Sequence, residues 1–104
     1  MIGEARSVGV IPIICSPVPR KIWQEDADFI AVSDDSYPQW AQLVARQSQS
    51  LFIDLNTLIA DRYNRLGKEK VNPLFGDKHT HTSEEGAKLT ASVIAKELHY
   101  ILSL

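Results

Sequence analysis

A chain of 104 residues has room for one hydrophobic core and not for two. Hydrophobic residues make up 44% and charged ones 23%, an ordinary globular balance that excludes a disordered, highly charged tail. The formal charge is −2 with both signs interspersed, so no nucleic acid and no anionic membrane is expected as a partner.

No run approaches the roughly 20 apolar residues of a membrane span. The start, Met1-Ile2-Gly3-Glu4-Ala5-Arg6, has no charged region leading into an apolar one, so no signal peptide is expected in this chain. The localisation of a longer parent stays open, with secretion or a periplasmic home among the options. Cys15 is the single cysteine, which excludes an intrachain disulfide. Within an apolar run it reads as a small buried hydrophobe, with no histidine or acid nearby to make it a nucleophile. One cysteine does not settle the redox compartment.

In chain order, residues 2–7 read as the end of a helix released at Gly9. Val10-Ile11-Pro12-Ile13-Ile14-Cys15 follows as a short apolar strand buried on both faces, with Pro12 near its start because it cannot donate to a ladder. Ser16-Pro17-Val18-Pro19-Arg20 breaks that strand, and an acid-rich loop runs to about Ser36. Pro38 then opens a helix through about Gln47 with a buried face of Trp40, Leu43 and Val44. Leu51-Phe52-Ile53-Asp54 is a second strand. The stripe Leu55, Leu58, Ile59, Tyr63 and Leu66 is a second long helix, ended by Gly67. Strand, helix, strand, helix implies parallel pairing through a right-handed crossover.

Residues 67–82 read as irregular. The last helix starts with Thr82-Ser83-Glu84-Glu85, a capping box in which the Thr82 hydroxyl takes the Glu85 backbone N–H. Its expected buried stripe is Ala87, Ala91, Ile94, Leu98 and Ile101. Two strands and three long helices would leave an open strand edge and uncovered apolar surface. The pattern therefore reads as part of a larger α/β domain, with self-association through the open edge as one way to cover it.

Chemistry-bearing side chains concentrate in Gly76-Asp77-Lys78-His79-Thr80-His81-Thr82-Ser83, a loop running into a capped helix, and loops on a rigid scaffold often carry sites. His79 and His81 could ligate zinc, yet His-x-His without a third placed ligand is a weak pattern. The cluster could equally be a solvated polar loop, or His81 could be a general base oriented by a nearby carboxylate and serving a serine from elsewhere in the fold. Spacing does not choose between the last two.

Residues 77–90, the segment Ser16-Pro17-Val18-Pro19-Arg20 with its preceding strand, and Phe52-Ile53-Asp54-Leu55-Asn56 resemble the C-terminal half of rhamnogalacturonan acetylesterase-type SGNH/GDSL hydrolases. The most specific stretch is His79-Thr80-His81-Thr82-Ser83 followed by Glu84-Glu85-Gly86-Ala87. The resemblance implies a flavodoxin-like fold, a three-layer parallel sheet flanked by helices, of which residues 1–104 are the C-terminal portion. It implies His81 as the triad base and removal of acetyl groups from acetylated plant polysaccharide or oligosaccharide, with no cofactor and no metal. That family's acid lies three residues before its histidine. Here Lys78 holds that position and Asp77 lies one further back, so Asp77 is the candidate acid. The family's Gly-Asp-Ser nucleophile block and its oxyanion-hole Gly and Asn blocks do not occur in these 104 residues.

Ser16 follows a strand but lacks the Gly-flanked turn that exposes a nucleophile, so it reads as loop punctuation. Arg20 reads as a solvated charge and His99 as an exposed residue near a helix end. Trp40 fits a buried helix face, which leaves Trp23, in a loop without apolar period, as the better candidate for stacking on sugar.

Overall fold

The computed structural model describes residues 2–23 and 37–104. Helix α1, Ile2–Ser7, ends where Gly9 takes φ 81°, and the N–H groups of Gly9 and Val10 close back on the carbonyls of Arg6 (3.1 Å) and Ala5 (2.9 Å). This paired closure satisfies carbonyls that a helix end would leave open, and it needs the left-handed residue that Gly supplies. Strand β1, Ile13–Cys15, then pairs in parallel with β2, Leu51–Ile53, in the register Ile13↔Leu51, Ile14↔Phe52 and Cys15↔Ile53.

Between the strands runs α2, Tyr37–Gln47, and the acid-rich loop expected before it lies outside the described residues from position 24 on. Its end repeats the closure of α1 with Gln49 at φ 55°, a conformation that strains a residue with a Cβ. Arg6 donates to the Gln49 carbonyl at 2.8 Å, which ties α1 to this turn. After β2 come α3, Leu55–Leu66, a short helix α4, Lys68–Val71, a 3₁₀ turn, Asn72–Leu74, and the long α5, Glu84–Leu102. The chain is of mixed α/β class, with a small parallel sheet of two strands among the described residues.

Several expectations from the sequence are corrected here. The first strand is three residues long, because Pro12 offers no ladder donor and Val10 and Ile11 stay exposed before it. It is half-buried rather than enclosed, and Cys15 is exposed, although partial burial still raises its thiol pKa. Trp40 is 56% exposed, and Leu43 and Val44 on the same helix are exposed too. Periodicity identified the helix correctly but not its cover, since the small sheet buries mainly Ala45 of α2. Residues 68–74 are helical rather than irregular.

The cap of α5 is Ser83, not Thr82: the Ser83 hydroxyl accepts the Gly86 N–H at 3.3 Å. Thr82 instead forms an antiparallel bridge with Phe75. Gly86 and Val93 are buried, Ile94, Leu98 and Ile101 are half-buried, and Ala87 and Ala91 are exposed.

The core lies mainly on the helical side of the molecule. Ile53, Leu55, Ile59, Ala60, Tyr63, Val71, Phe75 and Val93 form one buried cluster contributed by the end of β2, α3, α4, the segment after the 3₁₀ turn, and α5. Tyr63 and Phe75 meet edge-to-face with centroids 5.6 Å apart. Phe75 thereby anchors the start of the loop that carries both candidate site residues.

Candidate active site

Residues 75–83 form a loop with a closed neck. Phe75 and Thr82 face each other in the bridge, and the Gly76 N–H donates to the His81 carbonyl at 2.8 Å. Below the neck, Ser83 donates its backbone N–H to the Leu74 carbonyl at 2.9 Å and its hydroxyl to the Pro73 carbonyl at 2.6 Å. A third tie comes from the segment after β1, where the Lys21 N–H donates to the His79 carbonyl at 2.8 Å. The Lys21 ammonium is held by Asn72 Oδ1 at 2.9 Å and lies 5.6 Å from the Phe75 ring centroid. Backbone bonds, rather than buried apolar area, hold this exposed loop in one shape.

Within it, Asp77 is the organising residue. Its Oδ1 accepts the N–H groups of His79 (3.1 Å), Thr80 (2.7 Å) and His81 (3.0 Å). Its Oδ2 lies 2.6 Å from Nδ1 of His81. The structure thus brings Asp77 and His81 together across the longer spacing: the chain coils round one carboxylate, and that coiling takes up the extra residue. The Asp77 carboxyl is held well below the usual carboxylate range, chiefly by the His81 backbone N–H, then by the Thr80 N–H and the imidazole. An ionised Oδ2 fixes Nδ1 as the protonated nitrogen of a neutral imidazole and leaves Nε2 as the acceptor. Nε2 has no partner among the described residues, and the His81 side chain is 83% exposed beside an Asp77 side chain that is 42% exposed. The arrangement can accept a proton at Nε2 from a hydroxyl brought to it.

Among known proteins the chain resembles an acetylesterase. A rhamnogalacturonan acetylesterase of Emericella nidulans is 25% identical over 88 residues, which are 85% of this chain and 35% of that protein. The chain therefore spans about a third of the length of that curated relative. No family model matches, and no solved structure matches. Identity at this level supports distant relatedness to an acetylesterase and leaves the individual residue roles to the chemistry of the site.

The other candidates separate clearly. His79 Nδ1 lies 2.6 Å from the Thr80 hydroxyl, and among the described residues no group of three His, Cys, Asp or Glu side chains is placed to hold a metal ion. Lys78, Arg20 and His99 are exposed. Trp23 is half-buried against the core with the Lys68 ammonium 5.7 Å from its ring centroid.

Ser16 does more than punctuate a loop. It is 1% exposed, its hydroxyl donates to Asp54 Oδ1 at 2.9 Å, and the same oxygen accepts the Asn56 N–H at 2.8 Å. Asn56 in turn donates to the Pro17 carbonyl at 2.9 Å. Ser16 and Asp54 together cap the first turn of α3, joining the ends of both strands to that helix. The sequence signal was the Asp-Leu-Asn run opening a helix, which marks the cap but not its partner across the sheet.

Proposed function

We propose that this chain carries the general-base segment of an SGNH-type carbohydrate esterase of flavodoxin-like fold, acting on acetylated plant cell-wall polysaccharide such as rhamnogalacturonan. The observation that supports it best is the 2.6 Å contact between His81 Nδ1 and Asp77 Oδ2, with Nε2 turned to no described partner. In this reading residues 1–104 are the C-terminal portion of the catalytic domain, and the nucleophilic serine and oxyanion donors come from outside them.

The chemistry follows from the pair. His81 Nε2 takes the proton of the serine hydroxyl as its oxygen attacks the acetyl carbonyl, and the imidazolium that forms is stabilised by the Asp77 carboxylate. Collapse of the tetrahedral intermediate expels the sugar oxygen, which leaves with that proton. Water, deprotonated by the same Nε2, then hydrolyses the acetyl-serine and releases acetate. No cofactor or metal enters any step. Without nucleophile and oxyanion donors, each worth orders of magnitude, the 104 residues alone hydrolyse esters only at background.

The test is a chimera in which this chain replaces the matching third of the Emericella nidulans enzyme. Release of acetate from acetylated rhamnogalacturonan, abolished by His81→Ala, is the expected result. A folded chimera without activity, or p-nitrophenyl acetate turnover by the isolated chain that vanishes in His81→Ala, overturns the proposal.

A second reading is favoured by the exposed Trp40, Leu43 and Val44 on α2. The chain is then a non-catalytic α/β module that pairs with a partner or a second copy. An unfolding midpoint that rises with protein concentration supports it, and a concentration-independent midpoint refutes self-association.

A further inference from the structure

The coil of residues 77–81 has a fixed internal shape but little to fix its direction. Asp77 Oδ1 gathers the N–H groups of His79, Thr80 and His81 inside it. It joins the rest of the protein through a narrow neck, the Phe75–Thr82 bridge and the bond from the Gly76 N–H to the His81 carbonyl. Such a neck lets the coil swing as a unit. Beyond it, one hydrogen bond among the described residues ties the coil to anything else, from the Lys21 N–H to the His79 carbonyl at 2.8 Å.

The local chain geometry gives Lys21 that reach. The Ile22 N–H donates to the Arg20 carbonyl at 2.9 Å, which closes a three-residue γ-turn with Lys21 at its apex. Lys21 has no positive φ, so the turn is the common inverse form. Pro19 before the turn is buried, and Trp23 after it packs half-buried on the core, so both legs are pinned. The turn uses the N–H of its third residue and the carbonyl of its first, which leaves the apex N–H free to donate outward.

The side chain adds a second hold. Its ammonium lies 2.9 Å from Asn72 Oδ1 and 5.6 Å from the Phe75 ring centroid, and Phe75 is itself packed on Tyr63. One half-buried residue therefore joins the tip of the coil and its foot to the segment leaving the carboxyl end of β1. Open parallel sheets place their sites outside those carboxyl ends. A general base must meet its nucleophile within hydrogen-bond reach, and a misplacement of about 1 Å can cost on the order of 10²-fold in rate.

We infer that Lys21 is a positioning residue, which sets the direction of His81 Nε2 by clamping the tip and the foot of its loop to the segment after β1. The consequence for turnover rests on the esterase reading, whereas the clamp itself belongs to the 104 residues alone.

Three variants separate the two holds. Lys21→Pro keeps a φ close to that of the turn and deletes both N–H and ammonium, Lys21→Met deletes the ammonium alone, and Lys21→Arg keeps both. In the ¹⁵N-labelled 104-residue chain, backbone order parameters at residues 78–81 should fall from a rigid value of about 0.85 to below about 0.6 in Lys21→Pro, and partway in Lys21→Met. The Asp77 carboxyl should stay ionised at about pH 4 in each variant, which reports the coil intact. In the chimera, kcat per folded molecule should drop by about tenfold or more in Lys21→Pro and less in Lys21→Met, with KM within about twofold and Lys21→Arg near the parent. Unchanged order parameters in Lys21→Pro, or in Lys21→Met where the proline variant does not fold, overturn the inference. So does full kcat in the folded Lys21→Pro chimera, or a loss confined to KM. A chimera inactive before any substitution counts against the esterase reading instead, and the order parameters still decide the clamp.

Discussion

In Gly86→Ala two effects of opposite sign compete, and the structure decides between them. Ala exceeds Gly in a helix interior by about 0.8–1 kcal/mol, so propensity alone predicts a more stable α5. Gly86 is buried in the first turn, however, and a Cβ built on it runs into the Leu74 carbonyl oxygen, with the Leu74 carbonyl carbon and Thr82 Cβ each at 3.0 Å. The obstacle is backbone and cannot swing away as a side-chain end could. Its oxygen already accepts the Ser83 N–H at 2.9 Å, so retreat would break the tie under the loop's neck.

Overpacking of this kind costs about 1–3 kcal/mol, and losing the Ser83–Leu74 bond adds about 1 kcal/mol. With the propensity gain subtracted, Gly86→Ala should destabilise by about 1–3 kcal/mol. With a urea m-value of about 1–3 kcal/mol/M, the midpoint should fall by roughly 1 M at unchanged m. Because Thr82 is also crowded, the amide resonances of residues 76–81 should move as well. A midpoint that rises by the propensity increment would refute the reasoning: α5 would then be free to shift, and its contact with Leu74 would not set the loop's position.

Three further substitutions and titrations follow from the same geometry. Ser16→Ala removes a buried hydroxyl that both donates to Asp54 and accepts from Asn56, and should cost about 1–3 kcal/mol in urea unfolding. In the chimera it should leave turnover per folded molecule unchanged, and a folded Ser16→Ala protein without turnover would make Ser16 the nucleophile. For Asp77 the sign is that of a depressed carboxylate, whose stabilisation is complete above its unfolded pKa of about 3.9 and drains away as pH falls through the folded value. The Asp77 carboxyl ¹³C resonance should therefore stay that of a carboxylate down to about pH 4 and change only in stronger acid, whereas an Asp77 side chain titrating near 4 would show that the three N–H bonds to it are not made. Tyr63 has a buried hydroxyl without a partner, and burial pushes its pKa up to about 12. Tyr63→Phe should be neutral or stabilising by up to about 1 kcal/mol, and a larger loss would reveal a partner for the hydroxyl. In the parent chain the unfolded tyrosine ionises near pH 10 while the folded one keeps its proton, so stability should decline from about pH 10 to 12.

Elements fixed by local chemistry were legible in the sequence. Gly9 and Gly67 end their helices, Pro12 sits just before its strand, and of the α3 stripe Leu55, Ile59 and Tyr63 are buried and Leu58 half-buried, while Leu66 at its end is exposed. What failed needed knowledge of the cover. Trp40, Leu43 and Val44 are spaced for burial, but spacing reports only that a helix has an apolar side, not that another layer meets it. The cap of α5 failed for a subtler reason: Thr82 and Ser83 are both good caps, and the Phe75 bridge claims Thr82. The pairing of Asp77 with His81 was implied by the family resemblance and not by the spacing, and its geometry depends on three backbone N–H groups turning inward, which no side-chain pattern reports.

That last point bears on what the pair is for. An exposed imidazole–carboxylate contact contributes little to stability, because water screens it and both side chains lose freedom in making it. The loop does not need it either, since Oδ1, the neck and Lys21 already hold the backbone. The contact of Oδ2 with Nδ1 is therefore the part of the arrangement that folding does not require. Its one chemical consequence is to select the tautomer and aim Nε2 outward. A surface that closed over His81 would exclude water and strengthen the contact at the nitrogen that the proposed reaction uses as proton acceptor. Orientation set by the loop, with strength supplied on closure, is the behaviour expected of a general base whose nucleophile arrives from another segment.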